Sequence, residues 1–203
     1  FRLSDDSVFC VFTSREAGLT SLRLDRLDGS QPFELLAPAA SSISLIDLVG
    51  GSTTAVYLSQ SVLHALPSPN FPVAISGPGV TTARTVGFPA FRFTLDERRI
   101  LYRADPSTSG VLDLFSAPLD ASAPPRQLSP PLSGERDVWD FRVGPDGRVL
   151  YRADQVADNR FELYGVPADG ELPAVQLNGP LGAGQDVTSY AQPARELRPA
   201  RGP

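Results

Sequence analysis

Phe141-Arg142-Val143-Gly144-Pro145-Asp146-Gly147-Arg148-Val149-Leu150-Tyr151-Arg152-Ala153-Asp154 has a near copy at Phe91 to Asp105, 50 residues earlier. Each copy reads as a short strand, a tight turn at Pro145-Asp146-Gly147 or Asp96-Glu97, and a second strand ending in Leu-Tyr-Arg-Ala-Asp. Proline presets the turn backbone, aspartate bonds its own main chain and glycine accepts a positive φ, so each copy is a β-hairpin.

Outward from this stretch, the opening aromatic or aliphatic residue recurs at Phe1, Ile46, Phe91, Phe141 and Tyr190, spaced by 45, 45, 50 and 49 residues. Tyr102 to Leu114, Tyr151 to Leu163 and Phe12 to Leu24 share one internal spacing, so three of the four units keep a common register. The later segments Asp113-Leu114-Phe115-Ser116-Ala117-Pro118 and Glu162-Leu163-Tyr164-Gly165-Val166-Pro167 alternate with the period of a strand. Arg126-Gln127-Leu128-Ser129 and Val175-Gln176-Leu177-Asn178 supply a fourth strand, and a proline-containing connector leads to the next unit. Tandem units of this length made of strands predict an all-β fold, a β-propeller of four four-stranded blades. The blades fall at about 1–45, 46–90, 91–140 and 141–189, within one domain spanning 1–190. Tyr190 stands where a fifth blade would open, and 191–203 reads as a frayed tail. A blade cannot cover both its own faces, so four blades imply part of a larger propeller or a ring completed by a second copy. Phe91, Phe141, Tyr102, Tyr151, Phe115, Tyr164 and Trp139 are the expected inter-blade packing.

Composition agrees. The 203 residues are 41% hydrophobic, enough for a core, and 20 prolines with 17 glycines suit a chain that turns back every few residues. The net charge of −5, with both signs scattered, argues against a nucleic-acid surface. All 18 basic residues are arginine, which reads as coding bias. No apolar run is long enough to span a bilayer. The chain lacks methionine and opens on the first residue of a repeat, as a processed or truncated product would, so an absent leader does not argue against export.

The stretch Phe141 to Asp154, followed by Glu162-Leu163-Tyr164-Gly165-Val166-Pro167-Ala168-Asp169-Gly170, resembles the WD40-like β-propeller (PD40) repeat of the bacterial TolB-like family. The match is clear in units three and four. It is partial in unit one, where Ser4-Asp5-Asp6 stands in for a Ser-Pro-Asp-Gly turn, and weak in unit two, where Gly50-Gly51 carries no aspartate. The resemblance implies a periplasmic, secreted or surface-associated scaffold that binds proteins or peptides without doing chemistry. Members of that group usually carry more blades than the four found here.

Catalytic chemistry finds little purchase. His64 is the only histidine, and no Gly-x-Ser-x-Gly elbow exists for it to serve. Cys10 is alone in an apolar strand and reads as a small buried hydrophobe. Asp154, Asp158 and Asn159 offer oxygen ligands in one loop, where calcium is the suitable cation, although such residues more often cap turns. No other cofactor is expected. Arg103 and Arg152 hold matching positions, either as a rim of guanidinium groups for an acidic partner or paired with a neighbouring blade's carboxylate, the preferred reading. The function expected is a non-catalytic scaffold for a protein, peptide or carbohydrate, with self-association if the propeller is incomplete. The alternatives are the propeller portion of a prolyl-oligopeptidase-type hydrolase whose catalytic domain is absent from this chain, and a degenerate fragment.

Overall fold

The structure is a computed structural model that describes residues 2–3, 9–17, 19–26, 28, 34–40, 43–48, 54–66, 73–80, 91–107 and 110–191. The frayed tail expected over 191–203 lies outside the described residues apart from Ala191.

Among the described residues, sixteen strands form four antiparallel sheets, each a meander in chain order. The first sheet holds β1 (Arg2–Leu3), β2 (Phe9–Glu16), β3 (Leu19–Arg26) and β4 (Glu34–Ala40). The second holds β5 (Ile43–Leu48), β6 (Ala55–Ser59), β7 (Val62–Leu66) and β8 (Val73–Ala74). The third holds β9 (Phe91–Phe93), β10 (Arg99–Ala104), β11 (Asp113–Pro118) and β12 (Arg126–Gln127). The fourth holds β13 (Val138–Val143), β14 (Arg148–Ala153), β15 (Glu162–Pro167) and β16 (Val175–Gln176). The first and second sheets adjoin through β1 and β5, and the third and fourth through β9 and β13. Each meander therefore runs outward from an inner strand, which is the blade order of a β-propeller.

The turns follow from their residues. Asp96, Asp120, Asp146 and Asp169 each accept the amide two residues on, from Arg98, Ser122, Arg148 and Glu171, at 3.0–3.2 Å. This side-chain bond replaces a backbone partner and fixes the turn. The third strand of blades two, three and four is closed in the same repeated way. The amides of Leu63, Leu114 and Leu163 donate to Ser76 Oγ, Ser129 Oγ and Asn178 Oδ1 at 2.8, 3.2 and 2.7 Å.

Strand alternation sends neighbouring residues to opposite faces, and the core lies between blades. On β10, Ile100, Tyr102 and Ala104 pack toward the second blade with Val56, Leu58, Leu63 and Ala65. Leu101 faces the fourth blade, where Leu114, Leu128, Val138, Phe141, Val149, Tyr151 and Tyr164 join it. An aromatic column repeats at one cross-strand register. Tyr57 stacks on His64, Tyr102 on Phe115 and Tyr151 on Tyr164, with centroids 5.1, 5.7 and 5.2 Å apart. Two glycines permit close approach, one at the inner edge of blade three and one between blades three and four. A Cβ on Gly79 (φ +87°) would lie 2.0 Å from the Asp105 carbonyl oxygen, and one on Gly170 (φ +67°) would lie 2.8 Å from Leu128 Cδ2.

Blade three opens differently from blade four. Val80 bridges Ala104 as Val138 pairs with Ala153, so the inner edge starts at Val80 and resumes at Phe91. The inserted residues 81–90 lie outside the described residues.

The last blade supplies an internal control. Leu101, Leu114 and Leu128 are buried under blade four, whereas their counterparts Leu150 and Leu163 are half-buried and Leu177 is exposed. Leu128 is 4% exposed and Leu177 is 47% exposed, on the same position of the repeat. Leu128→Ala is expected to cost about 2–5 kcal/mol, the usual range for a buried leucine, and Leu177→Ala about 1 kcal/mol or less. Urea unfolding of the two variants checks this, and equal losses would contradict the assigned faces.

Candidate functional site

The repeated Tyr-Arg-Ala-Asp tetrad ends the second strand of blades three and four, at 102–105 and 151–154. Its four residues divide the work by alternation. Tyr102 and Tyr151 pack backward onto the preceding blade. Arg103 and Arg152 reach forward. Arg103 Nη1 donates to the carbonyls of Val138 (3.1 Å) and Trp139, in the first strand of blade four. Arg152 Nη1 donates to the carbonyls of Val187 (3.0 Å) and Thr188 (2.6 Å), and its Nε and Nη2 donate to Asp140 Oδ2. The two target pairs are 49 residues apart, so Val187-Thr188 sits on blade four as Val138-Trp139 sits on blade three.

The backbone repeats this docking. The amides of Val138 and Val187 donate to the carbonyls of Leu112 and Phe161, both at 2.8 Å. In return the amides of Leu112 and Phe161 donate to Asp137 Oδ1 (2.6 Å) and Asp186 Oδ1 (2.9 Å). Burial pulls the Arg103 guanidinium pKa down, while the Asp140 and Asp137 carboxylates oppose that shift. Arg103 thus faces the next blade's backbone and lies within the field of its carboxylates. Arg152 forms its ion pair with Asp140 of its own blade.

The loop proposed for a cation uses its oxygens internally. Asp154 is buried; its Oδ1 accepts the Asp137 amide (2.6 Å) and its Oδ2 the Asn159 amide (2.9 Å). Asp105 does the same with the Gly110 amide at 2.6 Å, five residues on in both loops. Asp158 is exposed and accepts from Asn159 Nδ2 at 2.9 Å. Asp154, Asp158 and Asn159 are therefore neighbours, and Asn159 takes φ +56° so that its amide reaches Asp154. Among the described residues, no group of three His, Cys, Asp or Glu side chains converges on one point.

Trp139 departs from its expected place in the inter-blade core. A register shift between Val138 and Asp140 makes a bulge, which turns the indole outward to 42% exposure. It meets the half-buried Phe161 edge-on, centroids 5.3 Å apart. Val156, 57% exposed, lies in the adjoining loop, which Arg136 ties back through the Gln155 carbonyl at 3.3 Å. Cys10 is half-buried, and so is His64, which serves as the ring partner of Tyr57.

No family model matches this chain, and no curated protein does. Solved structures do. The dipeptidyl peptidase 4 of Porphyromonas gingivalis aligns at 14% identity and a TM-score of 0.52, over 87% of this chain and 30% of that one. A puromycin-hydrolyzing peptidase of Mycobacterium tuberculosis aligns at 11% identity and 0.50, over 86% and 27%. A protein assigned as TolB from Agrobacterium tumefaciens aligns at 12% identity and 0.48, over 86% and 62%. The chain thus spans under a third of each peptidase and less than two thirds of the third protein. At these identities the likeness is one of fold.

Two predictions follow from this geometry. Arg103 is 4% exposed and bonds two carbonyls, so Arg103→Met should cost about 3 kcal/mol in urea unfolding, since it strands those carbonyls and the carboxylates near them. A loss below about 1 kcal/mol would mean the clamp is dispensable. Burial lowers the His64 pKa from 6.5, so the folded state takes up a proton less readily than the unfolded chain. This contribution is fully present above about pH 6.5 and declines as pH falls toward the lower native value. His64→Phe, which copies Phe115 of blade three, should keep the stack and flatten the pH dependence of melting temperature across that window.

Proposed function

We propose that this chain is a non-catalytic propeller scaffold that holds a protein or peptide partner at the rim carrying Trp139. One observation carries the reading: Trp139 and Phe161 form an exposed aromatic pair on a bulge whose backbone is bonded from the neighbouring blade. Exposed tryptophan on a rigid support is the residue type that most often anchors a protein interface. The polar side chains of this rim support the same reading, because Asp105, Asp137, Asp154 and Asp186 are engaged with backbone amides. They serve the scaffold, and no nucleophile with a base stands among them. A bacterial periplasmic or extracellular setting fits the resemblance of the repeats to the TolB-like group. Among the described residues, no helix is long and apolar enough to cross a membrane. Self-association through the outer face of blade four is a further route, supported by the exposure of Leu172, Val175 and Leu177.

A second reading is the propeller portion of a peptidase, favoured by the likeness to two peptidases of which this chain spans 30% and 27%. A random-peptide display selection against the immobilised chain separates the two. Enriched peptides should lose about 2 kcal/mol, roughly thirty-fold in Kd, on Trp139→Ala. Peptides that bind the variant equally, or no enrichment at all, would overturn the rim assignment. Carbohydrate is scored by the same variant on a glycan array.

A further inference from the structure

A different pair of arginines, on the inner strands, stands apart from every contact described above. Arg92 lies opposite Leu101 and Arg142 opposite Leu150, the same register of β9 and β13, which run side by side. The matching positions in the other blades are Arg2, opposite Val11, and Asp47, opposite Val56. Arg92 is half-buried, and its Nε is enclosed without an acceptor. Among the described residues neither Arg92 nor Arg142 forms an ion pair with a carboxylate. Arg142 is exposed and its guanidinium lies 5.2 Å from the centre of the Tyr190 ring. Tyr190 is held in place by its hydroxyl, which donates to the Leu150 carbonyl at 3.3 Å. The three groups share one field: Arg142 lowers the pKa of Arg92, adding to burial, and Tyr190 opposes the shift.

Arg92 and Arg142 repel each other while Asp140, the carboxylate on this face, pairs with Arg152, and an enclosed Nε without an acceptor adds a desolvation cost. An oxyanion between them removes both penalties. We propose that Arg92 and Arg142, with Tyr190 as their supporting ring, form a binding site for a carboxylate, the acidic side chain or terminal carboxylate of a peptide. A guanidinium fork matches the two oxygens of a planar carboxylate. Asp140 selects the monoanion. It lies on the face of β13 that carries Arg142, and its carboxylate is already committed to Arg152, so it would repel a phosphate dianion more strongly. This site does not depend on the rim reading, because it uses neither Trp139 nor Phe161.

The test is fluorescence anisotropy at low salt with the whole chain and two labelled probes, an amidated hexaglutamate and a hexa-alanine with a free C-terminal carboxylate. Saturable binding of either probe, weakened tenfold or more by Arg92→Gln and by Arg142→Gln but unchanged in Arg148→Gln, an exposed turn arginine, supports the site, and the probe that binds identifies the source of the carboxylate. Arg142 is exposed, so its variant stays informative if Arg92→Gln melts early. Equal binding by the wild type and Arg142→Gln, or no saturable binding, would overturn the proposal. Competition by inorganic phosphate stronger than by acetate would overturn the assignment to carboxylate.

Discussion

The junction between blades three and four depends on one guanidinium-to-carbonyl contact, which Arg152 repeats on the segment after blade four. A four-stranded blade has two apolar faces and cannot cover either by itself, so each must be fixed to a neighbour in a defined register. Apolar packing supplies the attraction, but it is non-directional and would tolerate sliding. Arg103, bonding the carbonyls of Val138 and Trp139, sets the register between blades three and four. Asp137 closes the same junction from the other side by accepting the Leu112 amide. The polar groups that look most like a site in the sequence are thus spent on alignment, and the chemistry left over is aromatic and cationic.

The hairpins, the four-unit organisation and the burial of the repeat tyrosines were legible in the sequence because they rest on periodicity and on turn residues. The Leu-Tyr-Arg-Ala-Asp run marks the second strand, and Tyr102, Tyr151 and Tyr164 are as buried as a repeated aromatic should be. Trp139 was not legible, since its exposure depends on a bulge that alternation cannot signal. The Arg92 and Arg142 pair escaped notice for a related reason. Each follows the opening phenylalanine of its unit, yet only the stacking of inner strands brings 92 and 142 together. The signal was there as a column of the repeat alignment, read down instead of along.

The partners of Arg152 show how far a repeat rule extends. Val187 and Thr188 dock on blade four by the bonds that Val138 and Trp139 make to blade three, and Tyr190 takes the place of Phe141. Tyr190 differs from Phe141 in carrying a hydroxyl, whose pKa is pushed up by burial and by Asp140. The same backbone scheme therefore serves two surroundings, an apolar one between blades three and four and a polar one beside Arg142 and Arg152.

Because Arg103 and Arg152 both donate to backbone carbonyls that lie later in the chain than their own sheet-forming strands, these contacts have a direction along the chain. During synthesis from the N-terminus, blade three can fold its sheet while Arg103 still lacks its acceptors, which arrive only when Val138 and Trp139 leave the ribosome. Until then blade three is unlocked, with its guanidinium hydrated and its forward face open. The step that secures blade three is thus encoded some 35 residues downstream of the arginine that performs it.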